Sequence, residues 1–427
     1  MTIRLRRELG KWDLTALGVN QVIGGAVFAV PATLAAALGS WSWLAIGVVG
    51  LLAMAVALNF AEAGSRFGGT GGPYLYTRAA FGRFISFEVG WVVWLVRVTS
   101  WASVVNVLVS ALGFYWPAVT TGAARLVLIT SVALIIMAIN IRGIKQSSLV
   151  VNALTIAKLT PLAVFILFGL PHVSVSALRP DAALTWDQIS RTLLLLIFAF
   201  GGYEVIPVPA GEARDPRRGV PFAMITTIAI VTTVLTLAQI VALGTLPNLA
   251  TSTTPLADAA LIFMGTGGAL LMTAGAAVSV AGNNMGAALS GSRSMFALAE
   301  QGDIPRIFGH IHSTYRTPDV AIIVTCLTTL TLALTGSFGQ LAAVSAIGRL
   351  LVYSGTCASV LRLRRQGPAP FTIAGGPLVP IVALAVCVAM LAGATQDQLV
   401  RGCGALVVGA ILFLIARMLS SIAGRKT

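Results

Sequence analysis

The chain has 427 residues, of which 57% are hydrophobic and 10% are charged, and its mean hydropathy is +0.91. Soluble domains carry about 25% charged residues, so a chain this apolar could not cover a water-facing surface with polar groups. We therefore expect a polytopic membrane protein in a lipid bilayer. The formal net charge is +14, but the cations lie in short loops between apolar runs, where they determine topology. We expect no nucleic-acid partner.

The sequence lacks the common catalytic and cofactor patterns. It holds no GxxxxGK[ST] phosphate-binding loop, no CxxC pair and no HExxH or DxxxD pattern. We therefore expect no ATP hydrolysis through a P-loop, no cofactor and no metal. An intramembrane enzyme is a remote alternative, because such enzymes need clustered acidic ligands or a catalytic dyad and the acidic residues here mostly flank the apolar runs.

Twelve apolar runs are long enough to cross a bilayer, which takes about 20 residues in a helix. They cover residues 14–38, 41–65, 85–113, 124–140, 147–170, 190–211, 220–244, 266–298, 319–336, 338–361, 377–394 and 399–419. No loop between them is long enough for a soluble domain. Residues 1–427 are predicted to form one all-α transmembrane domain with about twelve helices, of which the first ten form a core.

The lysines and arginines determine the predicted orientation. Twenty of them lie on the side of the two termini, and four lie in the loops on the other side. Cytoplasmic loops carry the excess of cations. Both termini are therefore predicted to be cytoplasmic, in a protein of the plasma membrane.

Two of the predicted helices carry a glycine pair near mid-span. The first contains Val22-Ile23-Gly24-Gly25-Ala26-Val27-Phe28, and the sixth contains Phe198-Ala199-Phe200-Gly201-Gly202-Tyr203-Glu204. Each glycine costs a helix interior about 1 kcal/mol relative to alanine. Helices broken at matching positions of two halves indicate a transporter site at the membrane midplane. Residues 14–170 and 190–361 are then two five-helix repeats of opposite topology, followed by two additional helices in 377–419.

Unwound backbone in a membrane leaves N–H and C=O groups that can bind a ligand. Free N–H groups at the start of a half-helix suit a carboxylate, and free carbonyls suit an ammonium. We expect the N–H groups around residues 25–27 to bind a carboxylate, and the carbonyls of Ile23 and residues 198–201 to bind an ammonium. The predicted substrate-binding residues are Ile23, Gly24, Gly25, Ala26, Val27, Phe198, Ala199, Phe200, Gly201 and Gly202. The alternative is that these glycines only let helices pack closely.

These motifs together resemble the amino acid–polyamine–organocation (APC) superfamily. Ile23-Gly24-Gly25-Ala26-Val27-Phe28 is similar to that family's break in helix 1, and residues 198–204 with Gly211-Glu212-Ala213-Arg214-Asp215-Pro216 are similar to its helix 6 region. Further similar segments are Gly72-Pro73-Tyr74-Leu75-Tyr76, Phe81-Gly82-Arg83, Gly90-Trp91, and Ser292-Arg293 through Gly302-Asp303 with Pro305. The resemblance implies an amino acid permease with a LeuT-like five-plus-five inverted repeat and two extra helices. Gly25 and Ala26 depart from the family's Ser-Gly, which removes a side-chain hydroxyl but keeps backbone ligation.

Lys158 lies near the middle of the fifth predicted helix. A charged group at that depth costs at least about 2.5–3.5 kcal/mol and is a functional candidate by default. The resemblance implies that its ammonium takes the place of a sodium ion between helix 1 carbonyls and helix 8. It could release and regain a proton during transport, or it could be a permanently charged tether with no coupling role.

Four further residues are possible site residues. Arg97 lies mid-span and needs a partner, which could be Glu62, Glu88, Glu204 or an acidic substrate side chain. Glu204 could carry protons or cap the half-helix that follows the second break. Asn283 could bond across the bundle or line the path, and Trp101 with Phe200 could shape an apolar substrate pocket.

These features favour a secondary active transporter of amino acids or related amines that works by alternating access and is coupled to protons. An uncoupled amino acid or amine exchanger, or an exporter, is the alternative. A channel is disfavoured because no segment of the sequence indicates a ring-forming filter.

Overall fold

The computed structural model describes residues 4–113, 116–180, 183–185, 188, 192, 196, 199–335 and 338–423. Within these ranges the protein is all-α, with thirteen α-helices, short 3₁₀ segments and a single β-bridge between Leu9 and Ala213. The α-helices are α1 Lys11–Val22, α2 Val30–Leu38, α3 Ser42–Arg66, α4 Pro73–Phe81, α5 Arg83–Gly113, α6 Gly122–Arg142, α7 Ile144–Gly169, α8 Pro216–Thr245, α9 Pro255–Glu300, α10 Asp319–Thr335, α11 Phe338–Leu363, α12 Leu378–Ala392 and α13 Gln396–Ala423.

Eight helical segments of the described chain are long and apolar enough to cross a membrane, and α10 and α12 are shorter apolar helices. In hydrocarbon a helix satisfies its backbone polar groups internally, so long apolar runs become helices almost without regard to side-chain detail. The predicted fold class, an all-α polytopic membrane protein, is confirmed.

The first predicted span is broken at the glycine pair. Helix α1 ends at Val22, Ile23 has non-helical dihedral angles of φ −77° and ψ 82°, and a 3₁₀ turn covers Gly25–Phe28. Helix α2 then begins at Val30, with Pro31 in its first turn. Proline suits this position because the first amides of a helix have no intrahelical acceptor.

The second break differs from its prediction. The amide of Phe200 donates to Leu196 O, as in an α-helix, but no α half-helix follows. The chain continues as two 3₁₀ segments, Tyr203–Val205 and Val208–Glu212, and α-helix resumes only at Pro216. Prolines 207 and 209 supply no N–H donor, which disfavours a regular α-helix there.

Two further differences concern helix bounds. Helix α9 begins at Pro255 rather than at residue 266, and it carries a kink at Gly265, where φ is +67°. Helix α4 lies in the segment after α3, where no helix was predicted.

The predicted substrate site lies where the two broken segments pack against the long helices. Helix α1 packs against α7, α8 and α9, and α9 also packs against α5 and α7. Helix α11 packs against α5. The broken segments are therefore enclosed by α5, α7, α8, α9 and α11.

Candidate functional site

The two breaks are in direct contact at Gly202. Its φ is +133°, and a Cβ built at this position would lie 2.6 Å from Gln21 O and 3.0 Å from Val22 N. Real Cβ atoms do not approach backbone this closely, so only glycine allows the second break to pack against the end of α1. The two glycine-rich segments, predicted from their matching positions, therefore meet inside the bundle.

Each break leaves backbone groups without a partner. Among the described residues, the amide of Gly25 has no hydrogen-bond acceptor. The carbonyls of Phe200 and Gly201 likewise accept no backbone hydrogen bond from a described residue. Gly201 is buried and Gly25 is half-buried. An unpaired donor and two unpaired acceptors thus lie on segments that touch each other.

Lys158 on α7 is fully buried and bonds to both α1 and α9. Its Nζ donates to Asn20 O at 3.0 Å, to Ile23 O at 2.8 Å and to Ser279 O at 3.0 Å. An ammonium has three N–H donors, and this arrangement satisfies all three. The lysine holds the end of α1 against α9 as a bound cation would.

The Ile23 carbonyl is fully used by these contacts, because Ser279 Oγ also donates to it at 2.9 Å. Its two lone pairs are taken by Lys158 and Ser279, so this carbonyl has no capacity left for a substrate ammonium. The expectation that Ile23 binds substrate directly is therefore replaced by a role in holding Lys158.

Asn283 bonds across the bundle. Its Nδ2 donates to Gln21 O at 3.0 Å, and Gln21 Nε2 donates to Asn283 O at 2.8 Å. This reciprocal pair joins the last turn of α1 to α9. The same turn carries the backbone against which Gly202 packs.

Arg97 and Glu204 form a buried ion pair. Arg97 Nη2 lies 2.5 Å from Glu204 Oε1, and the two side chains are 2% and 3% exposed. Glu204 Oε2 accepts a 2.8 Å hydrogen bond from the Gly202 amide. Glu204 therefore accepts a hydrogen bond from the backbone just before it, and the α half-helix that it was expected to cap does not form after the second break. Of the partners considered for Arg97, the structure selects Glu204, because Glu62 pairs with Arg364.

Two partners of Glu204 were missed by the sequence reasoning. Arg349 Nε lies 3.1 Å from Glu204 Oε1, and Tyr353 Oη donates to Glu204 Oε2 at 2.7 Å. Both lie on α11. Arg349 is a charge inside an apolar run, so the criterion applied to Arg97 would have identified it. Tyr353 is uncharged, so this criterion would not have identified it.

Trp101 and Phe200 are both fully buried in the main hydrophobic core. Next to the first break, Val27 and Pro31 enclose a small cavity together with Ala199 and Gln239. Its volume is about 10 Å³, which is room for about one water. The described conformation is therefore closed at this point and has no space there for an amino acid.

The structure does not fully describe two of the predicted site residues. Phe198 lies outside the described residues, and so does the side chain of Ala26. The roles predicted for them stay predictions.

A polar cluster lies at the ends of α4, α5 and α9. Asp303 Oδ2 lies 2.5 Å from Arg78 Nη1 and accepts a 2.6 Å bond from Tyr74 Oη, and Asp303 Oδ1 lies 2.8 Å from Arg83 Nη2. Burial and the Asp303 carboxylate raise the pKa of the Tyr74 hydroxyl well above its usual range, so it stays a donor. The cluster ties three helix ends together.

A second buried pair joins the loop after the second break to α9. Arg293 Nε lies 2.8 Å from Glu212 Oε2, and both side chains are fully buried. Glu212 O also accepts the amides of Glu8 and Leu9. The segment that follows the second break is thereby fixed to α9 and to the chain before α1.

Comparison with known proteins identifies the family. A family model described as amino acid permease matches residues 9–417. The chain is 28% identical over 413 residues to the serine/threonine exchanger of Bacillus subtilis (strain 168), covering 89% of each protein. It is 26% identical over 438 residues to that organism's branched-chain amino acid permease, covering 96% of this chain and 93% of the relative.

A third relative, the methylthioribose transporter of the same organism, is named for a substrate that is not an amino acid. It is 26% identical over 403 residues, covering 90% of this chain and 87% of the relative. The family model and these relatives together cover nearly the whole chain, including both breaks and Lys158. The chain belongs to the amino acid permease family of the APC superfamily.

Proposed function

We propose that this protein is a secondary active transporter that moves amino acids across the plasma membrane by alternating access, with both termini in the cytoplasm. The observation that carries the proposal is the contact between the two breaks at Gly202, which brings unpaired backbone groups of both segments into one region of the bundle. The chain's membership in an amino acid permease family supports the same substrate class.

A zwitterion suits these groups. The Gly25 amide is a donor for a carboxylate, and the carbonyls of Phe200 and Gly201 are acceptors for an ammonium. Ligation by backbone needs no charged side chain in the site, which favours a neutral amino acid. Arg97 is buried and already bonded to Glu204, so its guanidinium is not free to bind an acidic substrate side chain. The apolar side chains of Trp101 and Phe200 favour a small or hydrophobic substrate side chain.

Proton coupling is assigned to Lys158. A charged lysine bonds three carbonyls of α1 and α9, whereas a neutral amine has only two N–H donors. Loss of the proton would leave one buried carbonyl unpaired, at a cost of about 1–3 kcal/mol, and would loosen α1 from α9. Proton release would then accompany opening of the site.

The second candidate is an exchanger in which Lys158 stays charged throughout. The specific observation in its favour is that all three N–H donors are satisfied, which favours the charged form. One of the relatives is named as an exchanger. In this case Lys158 is a fixed tether, and flux depends on substrate at both faces rather than on a pH gradient.

Alternating access requires one group of helices to move against another. The proposed moving bundle contains α1, α2, α3, α8 and the second break, and the scaffold contains α5, α6, α9 and α10, within an inverted repeat of residues 14–170 and 190–361. The Asp303 cluster and the Arg293–Glu212 pair would break and form again as one end opens and closes.

The experiment uses purified protein in proteoliposomes. The twenty amino acids, common polyamines and methylthioribose are screened by thermal shift, and the best candidates are then tested for uptake. A proton-coupled transporter accumulates substrate when the outside is acidic, whereas an exchanger shows only counterflow with preloaded substrate. Uptake of methylthioribose without uptake of any amino acid would contradict the proposed substrate class.

A further inference from the structure

An apolar pocket lies between α5, the end of α9, the segment after α9, and α13, and no residue of the two breaks is among its lining residues. Its volume is about 290 Å³, and every one of its eleven lining residues is apolar. Phe87 and Leu298, at 1% and 3% exposed, form its floor, whereas Leu412 and Ile415, at 38% and 47% exposed, lie at its open side. The pocket therefore opens at the outer surface of the bundle, where lipid lies.

The walls of this pocket expose only apolar atoms, because the indole N–H groups of its two tryptophans donate hydrogen bonds to residues that do not line it. The indole N–H of Trp91 donates to Ala405 O at 2.9 Å, and that of Trp94 donates to Thr325 Oγ1 at 3.1 Å. These two bonds also fix the rings, which lie 5.3 Å apart. A concave, wholly apolar and rigid site selects a hydrocarbon chain over a polar molecule.

Two arginines directly follow lining residues of this pocket in the chain. Arg306 directly follows the lining residue Pro305, is exposed, and forms no ion pair with a described residue. Arg417 directly follows the lining residue Ala416. The acidic side chains nearest in sequence are Asp303, which is paired with Arg78 and Arg83, the exposed Glu300, and Glu88, which follows the lining residue Phe87 and has no hydrogen-bond partner among the described residues. Arg306 is thus an exposed cation next to a lining residue of the pocket, with no carboxylate partner among the described residues.

We infer that this pocket binds a phospholipid with an anionic headgroup, with an acyl chain against Trp91 and Trp94 and the phosphate near Arg306. Hydrocarbon walls and an exposed arginine beside them are complementary to the two parts of such a lipid. The occupant would hold α13 and the segment after α9 together. This site is separate from the proposed substrate site and does not depend on which substrate is moved.

The test measures quenching of tryptophan fluorescence by brominated acyl chains, which act only on indoles that they touch. The full chain is reconstituted in phosphatidylcholine vesicles that contain increasing fractions of brominated phosphatidylglycerol in one arm and brominated phosphatidylcholine in the other. One engaged arginine is worth about a five-fold preference for the anionic lipid. We therefore expect half-maximal quenching at about five-fold less phosphatidylglycerol.

Three variants locate the effect. Arg306→Gln should remove the preference for phosphatidylglycerol, whereas Arg217→Gln, an exposed arginine of α8, should keep it. Ala416→Leu should narrow the pocket and weaken the tight component in both arms. Arg306 and Ala416 lie at the surface, so their variants should fold normally.

Equal quenching curves for the two lipids in the wild type would overturn the inference. An unchanged phosphatidylglycerol curve in Ala416→Leu would overturn it too, because the quenched indoles would then lie elsewhere. An equal loss of preference in Arg306→Gln and Arg217→Gln would show a general attraction to basic protein rather than a site.

Discussion

Lys158 donates a 2.8 Å hydrogen bond to the carbonyl oxygen of Ile23, the first residue beyond α1. This bond connects the charge in the middle of α7 to the point where the first span unwinds. The residues alone indicated the break and the lysine separately, the family resemblance implied that they meet, and the structure shows the contact. Their link suggests how a proton and a substrate could affect the same segment.

Lys158→Met should abolish accumulation driven by a pH gradient. The apolar side chain leaves three buried carbonyls without the lysine's donors but keeps most of the volume. If the lysine couples protons, counterflow of substrate should survive at a reduced rate, because the exchange of loaded forms needs no proton. The measurement is uptake of labelled substrate in proteoliposomes, with and without a pH gradient.

Lys145→Met is the matched control, since Lys145 lies on the same helix and is exposed. It should leave both activities unchanged. If Lys158→Met still accumulates substrate in response to a pH gradient, the coupling role is wrong. If counterflow is lost together with accumulation while the protein stays folded, the tether alternative is favoured.

Gly202→Ala should destabilise the protein and impair transport. The new Cβ would lie 2.6 Å from Gln21 O at a φ of +133°, so the two breaks must separate, at a cost of about 1–3 kcal/mol. The readouts are the melting temperature and the uptake rate, and both should fall. Gly267→Ala on α9 is the control, because its Cβ meets no atom within 4 Å. That change should be neutral or stabilising, and an equal effect of the two variants would argue against contact between the breaks.

Removing Glu204 alone should cost more stability than removing both partners of the Arg97–Glu204 pair. Glu204→Gln leaves two arginines without their carboxylate, at about 3–5 kcal/mol for a broken buried pair, whereas Arg97→Gln leaves Glu204 paired with Arg349. The experiment is a thermal-stability double-mutant cycle of Arg97→Gln, Glu204→Gln and the double variant. Since Arg349 also contacts Glu204, Glu204→Gln should be worse than Arg97→Gln. Additive effects of the two changes would mean that the pair does not exist in the membrane.

Asp303→Asn should loosen the cluster at the ends of α4, α5 and α9. The neutral amide weakens its bonds to Arg78 and Arg83, so amide hydrogen exchange should rise in Pro73–Phe81 and the melting temperature should fall. Asp397→Asn is the control, because its ion pair with Arg401 is exposed and such pairs contribute about 0–1 kcal/mol. Equal exchange in the two variants would contradict a closing role for the cluster.

The apolar helices, the first break and the burial of Lys158 could be predicted from the sequence. Hydropathy identifies helices well because unpaired backbone is so costly in hydrocarbon. The glycine pair at residues 24 and 25 marked a place where that helix is weak. These are local properties, which a single sequence carries directly.

The exact hydrogen-bond partners could not be predicted from the residues alone, because they depend on contacts between distant helices. Only the resemblance implied that Lys158 lies between helix 1 and helix 8, and Glu204 was one of several candidates for Arg97. Ser279 lies 121 residues from Lys158, and Tyr353 lies 149 residues from Glu204. The shape of the second break was also mispredicted, because Pro207 and Pro209 after the glycine pair replace the expected half-helix by 3₁₀ turns. The early start of α9 at Pro255 escaped notice because hydropathy alone does not register a favourable first-turn proline.

The central claim is that backbone groups at the two breaks bind both charged ends of an amino acid. It is tested most directly by isothermal titration of the purified protein with the best amino acid from the screen, its methyl ester and its N-acetyl derivative. The account predicts binding of the free amino acid and at least about ten-fold weaker binding of each derivative, since each loses a charge-assisted contact of about 1.5–3 kcal/mol. Equal affinity for the free amino acid and either derivative would contradict it.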